Sequence, residues 1–172
     1  MKHASIIPVF ICAALIFVAF FLPWASVDSS VKGFVSKAFK SHDASLMKIS
    51  GYQVPILANR PDSHLMITII KLFNPGITDA DKKSWLIWAV PLFAVLLAVA
   101  YIFFKENKWF NLGVGLLGFI IFAGGAFEIL TTDLNKLVMK VTIVEGVWLT
   151  LAGYFGIGLV CCFKFIQQLR ST

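Results

Sequence analysis

Four long apolar runs, separated by polar segments, dominate the pattern of hydrophobic and polar positions along the chain. They cover residues 4–24, 85–104, 109–130 and 144–165. A helix needs roughly 20 apolar residues to cross the ~30 Å hydrocarbon core of a bilayer, and each run is close to that length. The pattern therefore predicts an all-α membrane protein in which residues 1–172 form one membrane domain, a four-transmembrane-helix bundle.

The composition agrees with these runs and limits the functions that the chain could have. Hydrophobic residues make up 59% of the chain and charged residues 14%, and the mean hydropathy is +0.85. Soluble domains are about 45–50% apolar and about 25% charged. Only the 25–84 loop is long enough to fold outside the bilayer, so we expect neither a soluble catalytic domain nor a nucleic-acid partner.

Basic residues near the ends of the spans predict the orientation of the chain. An even number of crossings places both termini and the short 105–108 turn on one side of the membrane. The basic residues of that side lie close to the helix ends: Lys2, Lys105, Lys108, Lys164 and Arg170. This density of positive charge favours the cytoplasm, so the termini are predicted to be cytoplasmic and the 25–84 loop extracytoplasmic.

The tryptophans lie near the predicted ends of the spans. Trp24, Trp85, Trp88 and Trp148 fall at the ends nearest the long loop, and Trp109 falls at the opposite interface. Tryptophan is enriched at both membrane–water interfaces. We expect these residues to be interfacial anchors, with a role in ligand binding as the alternative.

The interior of the predicted bundle lacks the residues that chemistry inside a membrane usually needs. The central parts of the spans contain no charged residue, and His3, His42 and His64 lie outside the spans. Intramembrane charges mark ion paths and proton relays, and a haem between helices needs ligands at membrane depth. We predict no catalytic residue, no metal site and no cofactor, and expect only bound lipids. A metal site formed in the loop by His42, Asp43 and His64 is the alternative.

Two carboxylates and three thiols near the span ends have structural interpretations. Glu128 and Glu145 can reach the outer interface, where they would be solvated or cap a helix; the alternative is a pair that faces the bundle interior or a partner subunit. Cys12, Cys161 and Cys162 lie toward the side of the termini and form no Cys-x-x-Cys motif. We expect free thiols that pack between helices.

Glycines at seven-residue spacing predict close contact between the last two spans. Gly118 and Gly125 have this spacing in the third span, and Gly146 and Gly153 repeat it in the fourth, which also contains Gly156. Small residues let helix backbones approach closely in lipid, and a spacing of seven keeps a pair on one face. The third and fourth spans are therefore predicted to pack through these faces, with contact to another subunit as the alternative.

The polar segments contain patterns typical of short surface elements. Residues 31–40 have an apolar face with lysines largely away from it, which predicts a basic amphipathic helix. Residues 49–55 have a strand-turn character and could pair with residues 25–27. Three-four spacing after Leu130 predicts that the third helix extends about two turns out of the membrane. The predicted partner contacts come from these segments: Phe34, Phe39, Tyr52, Leu134 and Leu137.

The first span ends in Phe21-Leu22-Pro23-Trp24, the outer loop contains Ser50-Gly51-Tyr52, and a short turn joins the second and third spans. In this order of elements the chain resembles small four-helix bacterial inner-membrane proteins of unknown function. The resemblance implies a location in the bacterial inner (plasma) membrane and no particular activity. The plan is also similar to that of claudins, but the loop has no cysteine pair and no Gly-Leu-Trp signature, so no claudin residues carry over.

These observations favour a non-enzymatic integral membrane subunit that anchors in or scaffolds a larger membrane protein complex. Other membrane protein subunits would bind the 25–84 loop. The alternative is a small oligomeric channel or transporter component that forms a path between copies of the chain. A third hypothesis is a membrane enzyme with an interfacial site made from Glu128, Asp133, Glu145 and His64.

Overall fold

The computed structural model of the chain describes residues 6–27, 48–58, 84–131 and 141–170. Most of these residues are helical. The helices are α1 (Ile6–Phe21), α2 (Gln53–Ala58), a 3-10 helix (Ser84–Trp88), α3 (Ala89–Phe104), α4 (Lys108–Thr131) and α5 (Glu145–Arg170). The strands are β1 (Pro23–Val27), β2 (Lys48–Ser50) and β3 (Val141–Ile143).

Among the described residues, three helical segments are long and apolar enough to cross a membrane. They are Leu86–Phe104, Lys108–Thr131 and Glu145–Arg170, with 19, 24 and 26 residues. The first helix, α1, is apolar throughout but has 16 residues, which corresponds to about 24 Å of helix. The sequence pattern predicted one helix over the 4–24 run, but in the described part of this run the helix ends at Phe21. The helix ends at Phe21 because the residue before a proline disfavours helical backbone, and Pro23 starts a strand instead.

The four long helices share one apolar core. Helix α5 packs closely against both α1 and α4, α1 also packs against α3, and α3 and α4 make few contacts with each other. Each long helix contributes to the buried cluster, whose members are Val9, Ala13, Ile16, Ala94, Leu97, Ala98, Tyr101, Val114, Tyr154, Ile157 and Cys161. Helix α5 thus lies between α1 and α4, and α3 is held mainly by α1.

A small three-stranded sheet covers the end of the bundle where α1 ends and α5 begins. Its order is β2-β1-β3, and both neighbours run antiparallel to β1. Ala25 lies opposite Ile49 on one side and opposite Ile143 on the other. The predicted pairing of residues 25–27 with the 49–55 segment is confirmed for β2, although residues 53–58 form α2. The all-α fold class is corrected by this sheet.

Two other boundaries differ from the sequence pattern. The 3-10 helix precedes α3, so Pro91 lies in the first turn of α3, where a missing N–H disrupts no hydrogen bond. Helix α5 continues to Arg170, past the predicted end at residue 165. The predicted extension of the third helix falls mainly on residues 132–140, which lie outside the described residues, while Val141 belongs to β3.

Candidate functional site

The sheet, α2 and the 3-10 helix form one end of the molecule, called the cap here. A backbone hydrogen bond joins it to α1, since the Tyr52 N–H donates to the Phe20 carbonyl at 3.2 Å. A second, from the Val144 N–H to the Trp24 carbonyl at 3.0 Å, joins the residue before α5 to β1. The Trp24 indole N–H donates to the Ala19 carbonyl at 2.9 Å. Because β1 follows α1 directly and β3 leads into α5, the cap is fixed to both helices.

An aromatic cluster centred on Phe20 lies beneath the sheet. The Phe20 ring is fully buried and makes edge-to-face contacts with Trp88, Phe21 and Trp24 at centroid distances of 5.1, 5.7 and 5.9 Å. Such pairs stabilise by about 0.5–1.5 kcal/mol each beyond their buried area. Gly51 lies against this cluster, since a Cβ there would be 2.7 Å from Trp24 Cε2. The turn after β2 therefore approaches the cluster too closely for a side chain at this position.

The predicted tryptophan anchors fall into two groups. Trp24 and Trp88 turn into the aromatic cluster, and within the described residues the buried Trp88 indole N–H has no acceptor. Trp148 and Trp109 are exposed, by 44% and 69%, as interfacial anchors would be. Trp85 is the second residue of the 3-10 helix, and its side chain is not among the parts that the structure describes.

Of the predicted partner contacts, Tyr52 can be placed. Its ring lies 5.6 Å from that of Phe21, and its hydroxyl accepts a hydrogen bond from Gln53 Nε2 at 3.4 Å. Tyr52 is partly buried, so it helps to hold the cap on α1 while one side of it is accessible. The other four predicted contacts lie outside the described residues: Phe34, Phe39, Leu134 and Leu137.

Glycines form the contact between α4 and α5, which correspond to the predicted third and fourth spans. A Cβ on Gly118 would lie 2.7 Å from the Tyr154 carbonyl oxygen and 2.9 Å from the Gly158 nitrogen. A Cβ on Gly125 would lie 2.6 Å from Leu151 Cδ2. Gly118 and Gly125 thus face α5, and the backbones meet most closely at Gly118.

The glycines of α5 that the sequence assigned to this contact face another helix. Gly146 lies under the Pro23 carbonyl and the Trp24 ring, Gly153 contacts Ile16, and a Cβ on Gly156 would lie 2.6 Å from Cys12 Sγ. The prediction that these three pack against the third span is wrong, because they receive α1 and the start of β1.

Gly158 is the α5 glycine at the α4 contact, because a Cβ there would be 3.2 Å from the Gly115 carbonyl oxygen. The sequence pattern did not predict this role for Gly158. Its spacing of four from Tyr154 and from Cys162, which also meet α4, is the signal that could have identified it.

The half of α4 nearest the cap is less buried than the half near the α3–α4 turn, although Gly125 and two phenylalanines still contact α5. No residue from Phe119 to Thr131 is fully buried, and Ile120, Phe127 and Leu130 are 66%, 66% and 77% exposed. The most apolar stretch of α4 is 17% buried, whereas the most apolar stretch of α5 is 39% buried. Helix α4 therefore presents a wide apolar face beside the cap.

The opposite end of the bundle contains a buried polar contact, called the amide clamp here. Asn111 is fully buried, and its Nδ2 donates to the Lys105 carbonyl at 2.8 Å and to Gln168 Oε1 at 2.9 Å. Gln168 Nε2 donates in turn to the carbonyls of Lys105 and Glu106, at 3.2 and 3.1 Å. The clamp binds the α3–α4 turn to the last turn of α5.

The carboxylates and thiols singled out in the sequence lie in different settings. Glu128 and Glu145 are both exposed, and Glu145 lies in the first turn of α5, where a negative charge is favourable. Neither faces the interior of the bundle. Cys12, Cys161 and Cys162 are free and lie between helices, as expected for packing residues. Within the described ranges, no three His, Cys, Asp or Glu side chains are grouped as a metal site would require.

Comparison with known proteins leaves the family assignment where the sequence placed it. No protein-family model, curated protein or solved structure matches the chain. The resemblance to bacterial inner-membrane proteins, and the claudin-like plan, stay predictions.

Proposed function

We propose that the chain is a non-enzymatic integral membrane subunit that scaffolds a larger membrane protein complex. In this proposal all four long helices cross the bilayer, the termini are cytoplasmic in a bacterial inner membrane, and the cap with the rest of the 25–84 loop is extracytoplasmic. The cap and the adjacent half of α4 together form the partner-binding surface. No bound group other than lipid is part of the proposal.

The observation that supports it is the uneven packing of α4. Close to the α3–α4 turn, Val114, Gly115 and Gly118 are buried in the bundle, whereas from Phe119 onward the helix has no fully buried residue. The cap beside this exposed face is joined to α1 by the hydrogen bond between Tyr52 and Phe20, and β3 leads into α5. A rigid platform next to an apolar helix face is a surface that a partner's transmembrane helix and outer segment can bind together.

Two glycines of α4 provide a matched test of this surface. A Cβ on Gly124 or on Gly113 would have nothing within 4 Å, and both positions are exposed, so we expect the bundle to accept leucine at either one. Gly124 lies in the half near the cap, and Gly113 lies in the half near the turn. Leucine at Gly124 would block a partner helix at the proposed surface, and leucine at Gly113 would not.

The experiment compares Gly124→Leu and Gly113→Leu with the unmodified chain after gentle detergent extraction from the native membrane. We expect the same membrane proteins to co-purify with the unmodified chain and with Gly113→Leu, and to be lost from Gly124→Leu. Equal recovery with both variants would show that this face meets lipid alone. Recovery of the isolated chain from the native membrane would contradict the subunit proposal itself.

The orientation can be tested independently of any partner. A reporter fused after Thr172 is expected to lie in the cytoplasm, and a reporter fused within residues 59–83 is expected to lie outside it. Reversed locations for these two fusion sites would mean that the chain has the opposite orientation, and a reporter fused before α1 that lies on the side of the loop would mean that α1 does not cross the bilayer. Ion or lipid flux through the purified, reconstituted chain would instead favour the oligomeric channel.

A further inference from the structure

The charges of the described residues are distributed unequally between the two ends of the bundle. At the end with the α3–α4 turn, four cations and one anion give a net charge of +3: Lys105, Lys108, Lys164, Arg170 and Glu106. At the cap end, Lys48, Glu128 and Glu145 give a net charge of −1. The four cations are called the basic cluster here. They lie where the apolar helices end, which is the depth of lipid head groups.

The amide clamp holds the basic cluster together. Lys105 lies in the α3–α4 turn and Lys108 begins α4, while Lys164 and Arg170 belong to the end of α5. Gln168 and Asn111 join these two segments through hydrogen bonds of 2.8–3.2 Å. Asn107 makes the turn more rigid, because its Oδ1 accepts from the backbone N–H groups of residues 109 and 110 at the start of α4.

Lys164 occupies a special position within the cluster. It follows Cys161 by three residues and precedes Gln168 by four, so it lies on the same face of α5 as the buried residues of the core. Lys164 and Lys108 are both partly buried. Within the described residues no ion pair neutralises any of the four cations. The cluster therefore presents positive charge, without an ion-pair partner in the described part of the chain, at the end of the bundle that holds the α3–α4 turn.

The neighbours of the cations indicate what kind of anion they would bind. Each cation is adjacent in sequence to a large apolar side chain that is exposed: Phe104, Trp109, Phe163 and Leu169. Phe103 next to Phe104 is 75% exposed. A free phosphate ion would use the charge alone, whereas a phospholipid has a phosphate for the cations and acyl chains for the apolar surface below them.

We infer that the basic cluster is a binding site for the head group of an anionic phospholipid. The phosphate lies among Lys105, Lys108 and Lys164, and the acyl chains lie along the exposed ends of α3 and α5. The inference needs the chain to lie in a bilayer and is independent of the partner-binding surface at the cap.

The test measures lipid binding to the full chain in detergent micelles by native mass spectrometry. The probes are dioleoylphosphatidylglycerol, dioleoylphosphatidylcholine and glycerol 1-phosphate. We expect retention of phosphatidylglycerol over phosphatidylcholine, and little competition from glycerol phosphate. Each of Lys105→Gln, Lys108→Gln and Lys164→Gln should weaken phosphatidylglycerol binding about fivefold, and the triple variant about a hundredfold, since a basic residue near an anionic surface contributes about 1 kcal/mol.

Lys48→Gln is the matched control, because it removes one exposed lysine from the opposite end. It should leave the affinity for phosphatidylglycerol unchanged within about twofold. Circular dichroism of the triple variant verifies that the helices remain folded. Equal retention of the two lipids, or an unchanged affinity in the folded triple variant, would overturn the inference. Competition by glycerol phosphate as strong as that by intact lipid would show a phosphate site and would also overturn it.

Discussion

Substitution of Gly118 by alanine tests the closest contact between two helices of this protein. The added Cβ would lie 2.7 Å from the Tyr154 carbonyl oxygen, 2.9 Å from the Gly158 nitrogen and 3.0 Å from the Gly158 Cα. All three atoms belong to the backbone of α5, so no side-chain rotation can relieve the overlap. The two helices must separate or bend.

The expected cost follows from these distances. Ordinary van der Waals contact begins at 3.4 Å, so the Tyr154 oxygen is 0.7 Å too close to the added methyl. If the helices separate by about 0.5–1 Å, each neighbouring contact between them loses a quarter to a half of its attraction. Overpacking of this kind typically costs about 1–3 kcal/mol. We expect the upper part of that range, about 2–3 kcal/mol, because all three close atoms belong to the backbone of α5 and cannot rotate away.

Gly113→Ala is the control for this prediction. It adds the same methyl to the same helix, where nothing lies within 4 Å, so the gain in helix propensity is common to both variants. The free energy of unfolding is measured by titration with sodium dodecyl sulfate in mixed micelles, followed by circular dichroism and tryptophan fluorescence. If the two variants agreed within about 0.5 kcal/mol, the deduced contact between α4 and α5 would be wrong.

Three further predictions concern other contacts and use the same unfolding titration. Gly153→Ala should destabilise the chain because its methyl meets Ile16, and Ile16→Ala should recover part of the loss when combined with it, as a coupling of about 0.5–3 kcal/mol; strict additivity would count against this contact. Tyr154→Phe should cost about 0.6–1.7 kcal/mol, since its hydroxyl donates to the Val90 carbonyl at 2.6 Å; no measurable loss would contradict that bond. Asn111→Ala should cost about 1–3 kcal/mol through loss of the amide clamp, and an unchanged midpoint would show that the clamp contributes nothing.

The glycines show where sequence reasoning succeeds and where it stops. Small residues at helical spacing correctly indicated close helix contacts in the last two spans. The spacing could not indicate which neighbour a face meets, because a helix has contacts around its whole circumference. Helix α5 uses one face for α1, with Gly153 and Gly156, and another for α4, with Gly158.

The candidate surface was predictable in the same limited way. The strand-turn character of residues 49–55 indicated pairing with residues 25–27, because extended segments near a helix end have few other partners. Strand β3 was missed, since Val141 also fits the three-four spacing of a helix that continues from Leu130. Asn111 and Gln168 gave no signal in the sequence, because a single amide at a span end is usually solvated.

Local patterns in the sequence were enough to locate the long apolar segments and to show where the charges are concentrated. These properties depend on neighbouring residues along the chain. Three features became visible in the folded chain alone: α5 lies between α1 and α4, β3 joins the sheet, and the α3–α4 turn meets the end of α5. These contacts join residues far apart in sequence, and they depend on the shapes of whole helix faces and on hydrogen bonds that local patterns do not encode.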